Sequence, residues 1–139
     1  MGKHIDLFTI MGLFQEYNES YFNGELPFPQ FKIRHSYRTL GYFSCEYDDE
    51  GMFNQSIEIS DNYDYTNNQL RDIIVHEMIH YYLAYKRIDP QCHHGREFNK
   101  MADEFNRKYG MNITSRIDLT PYTIKKGKSK LIFTISTLF

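Results

Sequence analysis

The stretch His76-Glu77-Met78-Ile79-His80 sets two imidazoles four residues apart with a carboxylate beside the first. On a helix the two histidines lie one turn apart on the same face, separated by about 40° in azimuth. Both rings can then reach one zinc ion at about 2.0–2.1 Å. Glu77 flanks the pair and is placed to take a proton from an activated water rather than to complete the ligand set. The pattern is H-E-x-x-H, and the chemistry it points to is metal-assisted hydrolysis. Three polar, titratable groups on one arc of an otherwise apolar segment strengthen that reading, because each costs free energy to bury without a partner.

Such a centre needs a third protein ligand and a coordination position left for water. His93, His94 and Glu97 follow closely enough to supply the ligand, and spacing by itself leaves all three open. Cys92, next to them, reads as a buried or loop thiol.

The pair must sit on a helix, and Leu70, Ile73, Ile74, Met78, Tyr81 and Tyr85 give one from a cap at Thr66 or Asn67 to about Lys86, ended by Asp89-Pro90. Its apolar residues cover most of the circumference, which predicts a central, largely buried helix. Before it, Leu7, Ile10, Met11, Phe14, Tyr17 and Tyr21 recur at the helical period from Ile5 to Phe22, and Asn23-Gly24 supplies a stop. Phe31 to His35 and Thr39 to Tyr47 read as two paired strands, Asp48 to Gly51 as a turn, and Ser56 to Ser60 as a short third strand with its isoleucines on one face. After it, Gly95 to Tyr109 carries the stripe Phe98, Met101, Ala102 and Phe105 and closes at Gly110. Tyr122 to Ile124 and Lys130 to Thr134 flank Gly127 as a hairpin.

With His94-Gly95-Arg96-Glu97-Phe98 following the first motif, the chain resembles the SprT-like family of zinc metallopeptidases, where H-E-x-x-H is followed by H-G-x-x-F at the start of another helix. The likeness runs over roughly residues 5 to 110 and includes Tyr21 to Pro27, Leu40-Gly41-Tyr42-Phe43 and Ile57-Glu58-Ile59-Ser60. It implies an α+β, small zincin-like metallopeptidase fold: an amino-terminal helix, a three-stranded sheet, and the central motif-bearing helix followed by a further helix. It implies Zn2+ held by His76, His80 and His94, with Glu77 as general base in the hydrolysis of a polypeptide. An edge strand would hold the substrate by backbone pairing, and Gln55 to Ser60 is the candidate. The expected organisation is a metallopeptidase domain over 1–110 and a carboxyl-terminal extension over 111–139, a hairpin packed on the domain. That extension lacks the cysteines of the zinc ribbon found in many relatives.

Tyr63, Tyr65, His93 and Arg96 lie near enough in sequence to be considered as donors to a tetrahedral oxyanion. Two other functions are compatible with the motif: a catalytically inactive zinc-containing module that binds protein or DNA, and a deformylase-like amidase, which would take Cys45 as its ligand. Glu77 argues against the first, and the unexplained His94-Gly95 pair against the second.

Composition narrows the field. The 139 residues, with 16 Lys and Arg against 18 Asp and Glu and 41% hydrophobic content, suit one domain able to bury its own core. No apolar run approaches the roughly 20 residues of a membrane span. The first residues lack a secretory h-region, so a cytoplasmic protein with reduced cysteines is expected. Lys125, Lys126, Lys128 and Lys130 make the tail basic but read as a solvated hairpin tip, so charge does not support nucleic acid as a partner.

Overall fold

The computed structural model describes residues 5–89, 94–116 and 118–125. Helix α1 spans Leu7–Tyr21, opened by Asp6, whose carboxylate accepts from Thr9 N at 2.7 Å. It ends where Asn18 O accepts from both Phe22 N and Gly24 N, a reversal that puts Asn23 and Gly24 at φ 56° and 68°. Left-handed backbone of this kind suits glycine and asparagine, which accounts for the Asn-Gly stop. The Asn18 side chain then clasps Leu26, donating to its carbonyl at 2.9 Å and accepting from its N–H at 3.2 Å.

Three strands follow: β1, Gln30–Arg34; β2, Gly41–Asp48; and β3, Gly51–Ser60. The turn between β2 and β3 is fixed by Asp48, whose Oδ1 accepts from Glu50 N and Gly51 N. The order is β1-β3-β2, with β1 parallel and β2 antiparallel to β3. Two expectations are corrected here. The first two strands do not pair with each other, and the third strand is central rather than an edge. Ile57 and Ile59 are fully buried, as their alternation predicts, but alternation fixes a strand's faces and not its neighbours.

Helix α2, Asn67–Tyr85, crosses this sheet, and α3, Arg96–Tyr109, packs against α2. The start of α2 is a full capping box: Gln69 N donates to Thr66 Oγ1 and Thr66 N to Gln69 Oε1. Such caps are worth about 1 kcal/mol. Leu70, Ile74, Val75, Met78, Ile79 and Tyr81 are buried within the core, each large apolar side chain contributing about 1.5–3 kcal/mol. Tyr81 stacks on Phe43 of β2 at 5.0 Å and donates to Pro27 O, so one residue ties α2 to the edge strand and to the loop before β1.

Gly95 precedes α3, and Gly110 ends it in the left-handed conformation (φ 67°). The chain then returns along α2, and β5 (Thr123–Ile124) pairs with β4 (Tyr63–Asp64). Thr123 and Ile124 thus meet a strand far back in the chain. The second arm of the expected hairpin, 130–134, lies outside the described residues. Among the described residues no helix is long and apolar enough to cross a membrane. The architecture is α+β.

Candidate metal centre

Three imidazoles meet at one point. His76 and His80 project from adjacent turns of α2, and His94 arrives from the residue before Gly95 at the head of α3. Nε2 of His94 lies 3.1 Å from Nε2 of His76 and 2.8 Å from Nε2 of His80. All three donor atoms fall within 4.8 Å of one another. Around a tetrahedral zinc ion, ligand nitrogens stand about 3.3–3.4 Å apart, so only a small expansion separates this cluster from a ligand set. Phe98, fully buried one turn into α3, packs among the rings at centroid distances of 4.7, 4.5 and 5.0 Å from His76, His80 and His94.

Electrostatics agree with the geometry. Burial, reinforced by the neighbouring imidazoles, lowers His76 to about 3. Burial and then His94 lower His80 to about 4, and burial lowers His94 as well. All three are therefore neutral near pH 7, the state in which imidazole binds a metal. The main chain of Thr114 slightly opposes the lowering of His76. One proton on His94 Nε2 cannot satisfy two facing lone pairs at once, whereas a shared cation can. The buried Nδ1 of His80 has no partner among the described residues. The donor set fits a metal ion: His76, His80 and His94 could hold one.

Glu77 is 3% exposed, and burial pushes its carboxyl up to about 8. Its Oε2 lies 3.9 Å from His76 Nε2, yet the shifts of both groups favour their neutral forms, so desolvation and not ion pairing governs the contact. A cation at the triad would draw the carboxyl back toward its ionised form. The carboxylate is accommodated because residue 41 has no side chain: a β-carbon on Gly41 would stand 2.9 Å from Glu77 Oε2 and 3.0 Å from Ile73 Cγ2.

Two hollows meet at this point. A cleft of about 480 Å³ holds all three histidines and Glu77, with Gly41, Tyr42 and Phe43 of β2 along one wall. On the other side of His76 and Glu77 lies a hollow of about 170 Å³, walled by Ile113, Thr114 and Tyr122 from the segment after α3. The strand beside the triad is thus β2, an edge of the sheet, and it replaces Gln55 to Ser60 as the strand an extended chain could join.

The other expected residues fall elsewhere. Glu97 is exposed on the first turn of α3 and does not join the cluster. Cys45 borders a separate hollow with Gln30 and Lys32, so the ligand of the amidase alternative is not at the triad. Tyr63 and Tyr65 are buried with their hydroxyls donating to Tyr37 O and Ser60 O, which removes them as oxyanion donors. Arg96 is exposed and borders neither hollow. His93 and Cys92 lie outside the described residues. Contributions absent from the sequence reading are the steric role of Gly41 and the packing of Phe98 against the three histidines. Both had a signal, since both residues stand inside the motifs that carry the family likeness.

No curated protein gives a significant match to the chain. The model of the SprT-like family matches residues 10–120, which takes in most of α1, the three-stranded sheet, the three histidines and the first part of the segment after α3. The chain belongs to the SprT-like family.

Proposed function

We propose that the protein is a zinc-dependent endopeptidase of zincin-like fold that hydrolyses a polypeptide laid along β2. The observation that carries this reading is the placing of a buried carboxylate, Glu77, beside three convergent neutral imidazoles in a cleft bordered by a strand edge. Zinc at His76, His80 and His94 would supply Lewis-acid polarisation and lower the pKa of water to about 7.

The chain's own groups do the rest. Gly41 to Phe43 offer edge backbone to an extended substrate, fixing its direction across the cleft. Glu77 accepts a proton on its carboxylate from the attacking water and returns it to the nitrogen that leaves when the C–N bond breaks. Phe98 keeps the three rings from turning. A carboxylate held in a desolvated pocket loses little reorganisation energy as charge develops beside it.

The test compares purified, zinc-loaded protein with its Glu77→Gln variant on an unstructured polypeptide, with and without DNA. Cleavage by the first and none by the second, at equal zinc content, is expected. Equal zinc content with no cleavage by either protein would favour a binding module instead.

A further inference from the structure

Among the described residues that border the cleft of the three histidines, Arg38 alone carries a full positive charge, and the one acid, Glu77, is buried. Arg38 is exposed and stands three residues before Gly41, in the loop that leads from β1 into the strand along the cleft wall. That loop is held from both sides. The Ser60 hydroxyl donates to Ser36 O and accepts from Ser36 N at 3.3 Å. Ser36 Oγ in turn accepts from Arg38 N at 3.3 Å and from Thr39 N at 3.0 Å. Tyr63 donates its hydroxyl to Tyr37 O at 2.7 Å, and Leu40, fully buried, accepts from Ser60 N at 2.8 Å. The backbone that carries Arg38 is thereby fixed to the end of β3 while the residue stays open to solvent, and a fixed backbone pays little ordering entropy when a ligand arrives.

We propose that Arg38 is a specificity-determining residue, whose guanidinium selects substrates carrying a carboxylate two to four residues from the bond that is cut. This rests on reading the cleft as a peptidase site with the substrate along β2. Glu77 touches the bare backbone of Gly41, so the cut falls beside residue 41. An extended chain advances about 3.3 Å per residue, so Arg38 lies within about 10 Å of that point along the chain, and a paired substrate passes it two to four residues from the cut. A guanidinium accepts a carboxylate in bidentate fashion and repels lysine and arginine. The carboxylate belongs either to an Asp or Glu side chain or to the substrate's own carboxyl terminus.

The test takes an unstructured peptide that the zinc-loaded full chain cuts at one mapped bond, amidates its carboxyl end, and places Glu, Gln or Lys in turn at each position two to four residues to either side. An exposed ion pair is worth up to about fivefold, and a like-charge pair costs a similar factor. At the responsive position kcat/KM should therefore fall about fivefold from Glu to Gln and about 25-fold from Glu to Lys. In 1 M salt, where the screening length is about 3 Å, most of the difference should vanish. Arg38→Gln should level the series, Arg38→Lys should keep its order, and Arg38→Glu should invert it; if the last does not fold, levelling by Arg38→Gln decides. Arg107→Glu, the same charge change on the last turn of α3 and away from both hollows, should leave the order as it is. A pair of peptides ending at the responsive position, one a free acid and one an amide, identifies the source: faster cleavage of the acid points to the terminus, and equal rates point to the side chain. A wild-type protein that cuts every peptide equally, an order that survives Arg38→Gln, or an equal loss on all peptides overturns the proposal. A zinc-loaded wild type that cuts none of them instead overturns the peptidase reading beneath it.

Discussion

Replacing Gly41 with alanine adds one methyl group, and the structure says where it goes. The new β-carbon would stand 2.9 Å from Glu77 Oε2, 3.0 Å from Ile73 Cγ2 and 3.1 Å from Glu77 Cγ. Ile73 belongs to the core, and its branched carbon cannot yield without moving α2 against β2, so Glu77 is the group that shifts. Overpacking of this kind costs about 1–3 kcal/mol. The lower chain entropy of alanine offsets about 0.4–1 kcal/mol of that. The net loss, between about 0 and about 2.6 kcal/mol, lowers the melting temperature by about 2–8 °C for each kcal/mol at this chain size. Activity should fall much further, because displacing a reacting group by about 1 Å can cost about 100-fold. The three histidines are not touched, so bound zinc should remain stoichiometric. The assay combines zinc content, thermal unfolding and the rate of cleavage of an unstructured polypeptide. In the Glu77→Gln background, adding Gly41→Ala should reduce the residual rate no further, since both changes act through one carboxylate. A Gly41→Ala protein that cleaves at the wild-type rate would refute the claim that the bare backbone of residue 41 makes room for the base.

His94→Ala should weaken zinc by more than the about 10–100-fold typical of outer contacts, while Cys45→Ala should leave it unchanged; chelator competition reads both, and the opposite ranking would restore the amidase arrangement. High pH should unfold the chain through its tyrosines: burial, the larger cause in each, pushes Tyr17 and Tyr81 up to about 12. Phenols of the unfolded chain ionise near about 10, so the unfolded state loses protons first, and stability is unaffected by these groups below that pH and declines above it. Phenolate absorbance and circular dichroism followed together should show a late fraction of the twelve tyrosines ionising as the fold is lost; one smooth titration near pH 10 with the fold intact would contradict this.

What the sequence disclosed was whatever depends on near neighbours. Thr66 and Gln69 announce the start of α2 because a capping box closes within one turn. Asn23-Gly24 and Gly110 mark helix ends because a left-handed residue is a local requirement. His76 and His80 converge because four residues make one turn, and His94 was reachable through the motif that opens α3. Pairing order is a different kind of quantity. Nothing in Gln30–Arg34 states that it will lie parallel to Gly51–Ser60 rather than beside Gly41–Asp48, since both arrangements bury the same alternating faces. The edge strand beside the three histidines therefore differs from the expected one, whereas the histidines themselves do meet. The same distinction holds for the segment after α3. Asn106 is an ordinary polar position on an amphipathic helix until the chain beyond Gly110 folds back and presents Ile113 to it. A cluster of histidines can be expected from spacing, but the contacts that surround it are made by the fold, and a substitution at position 41 asks how much those contacts matter.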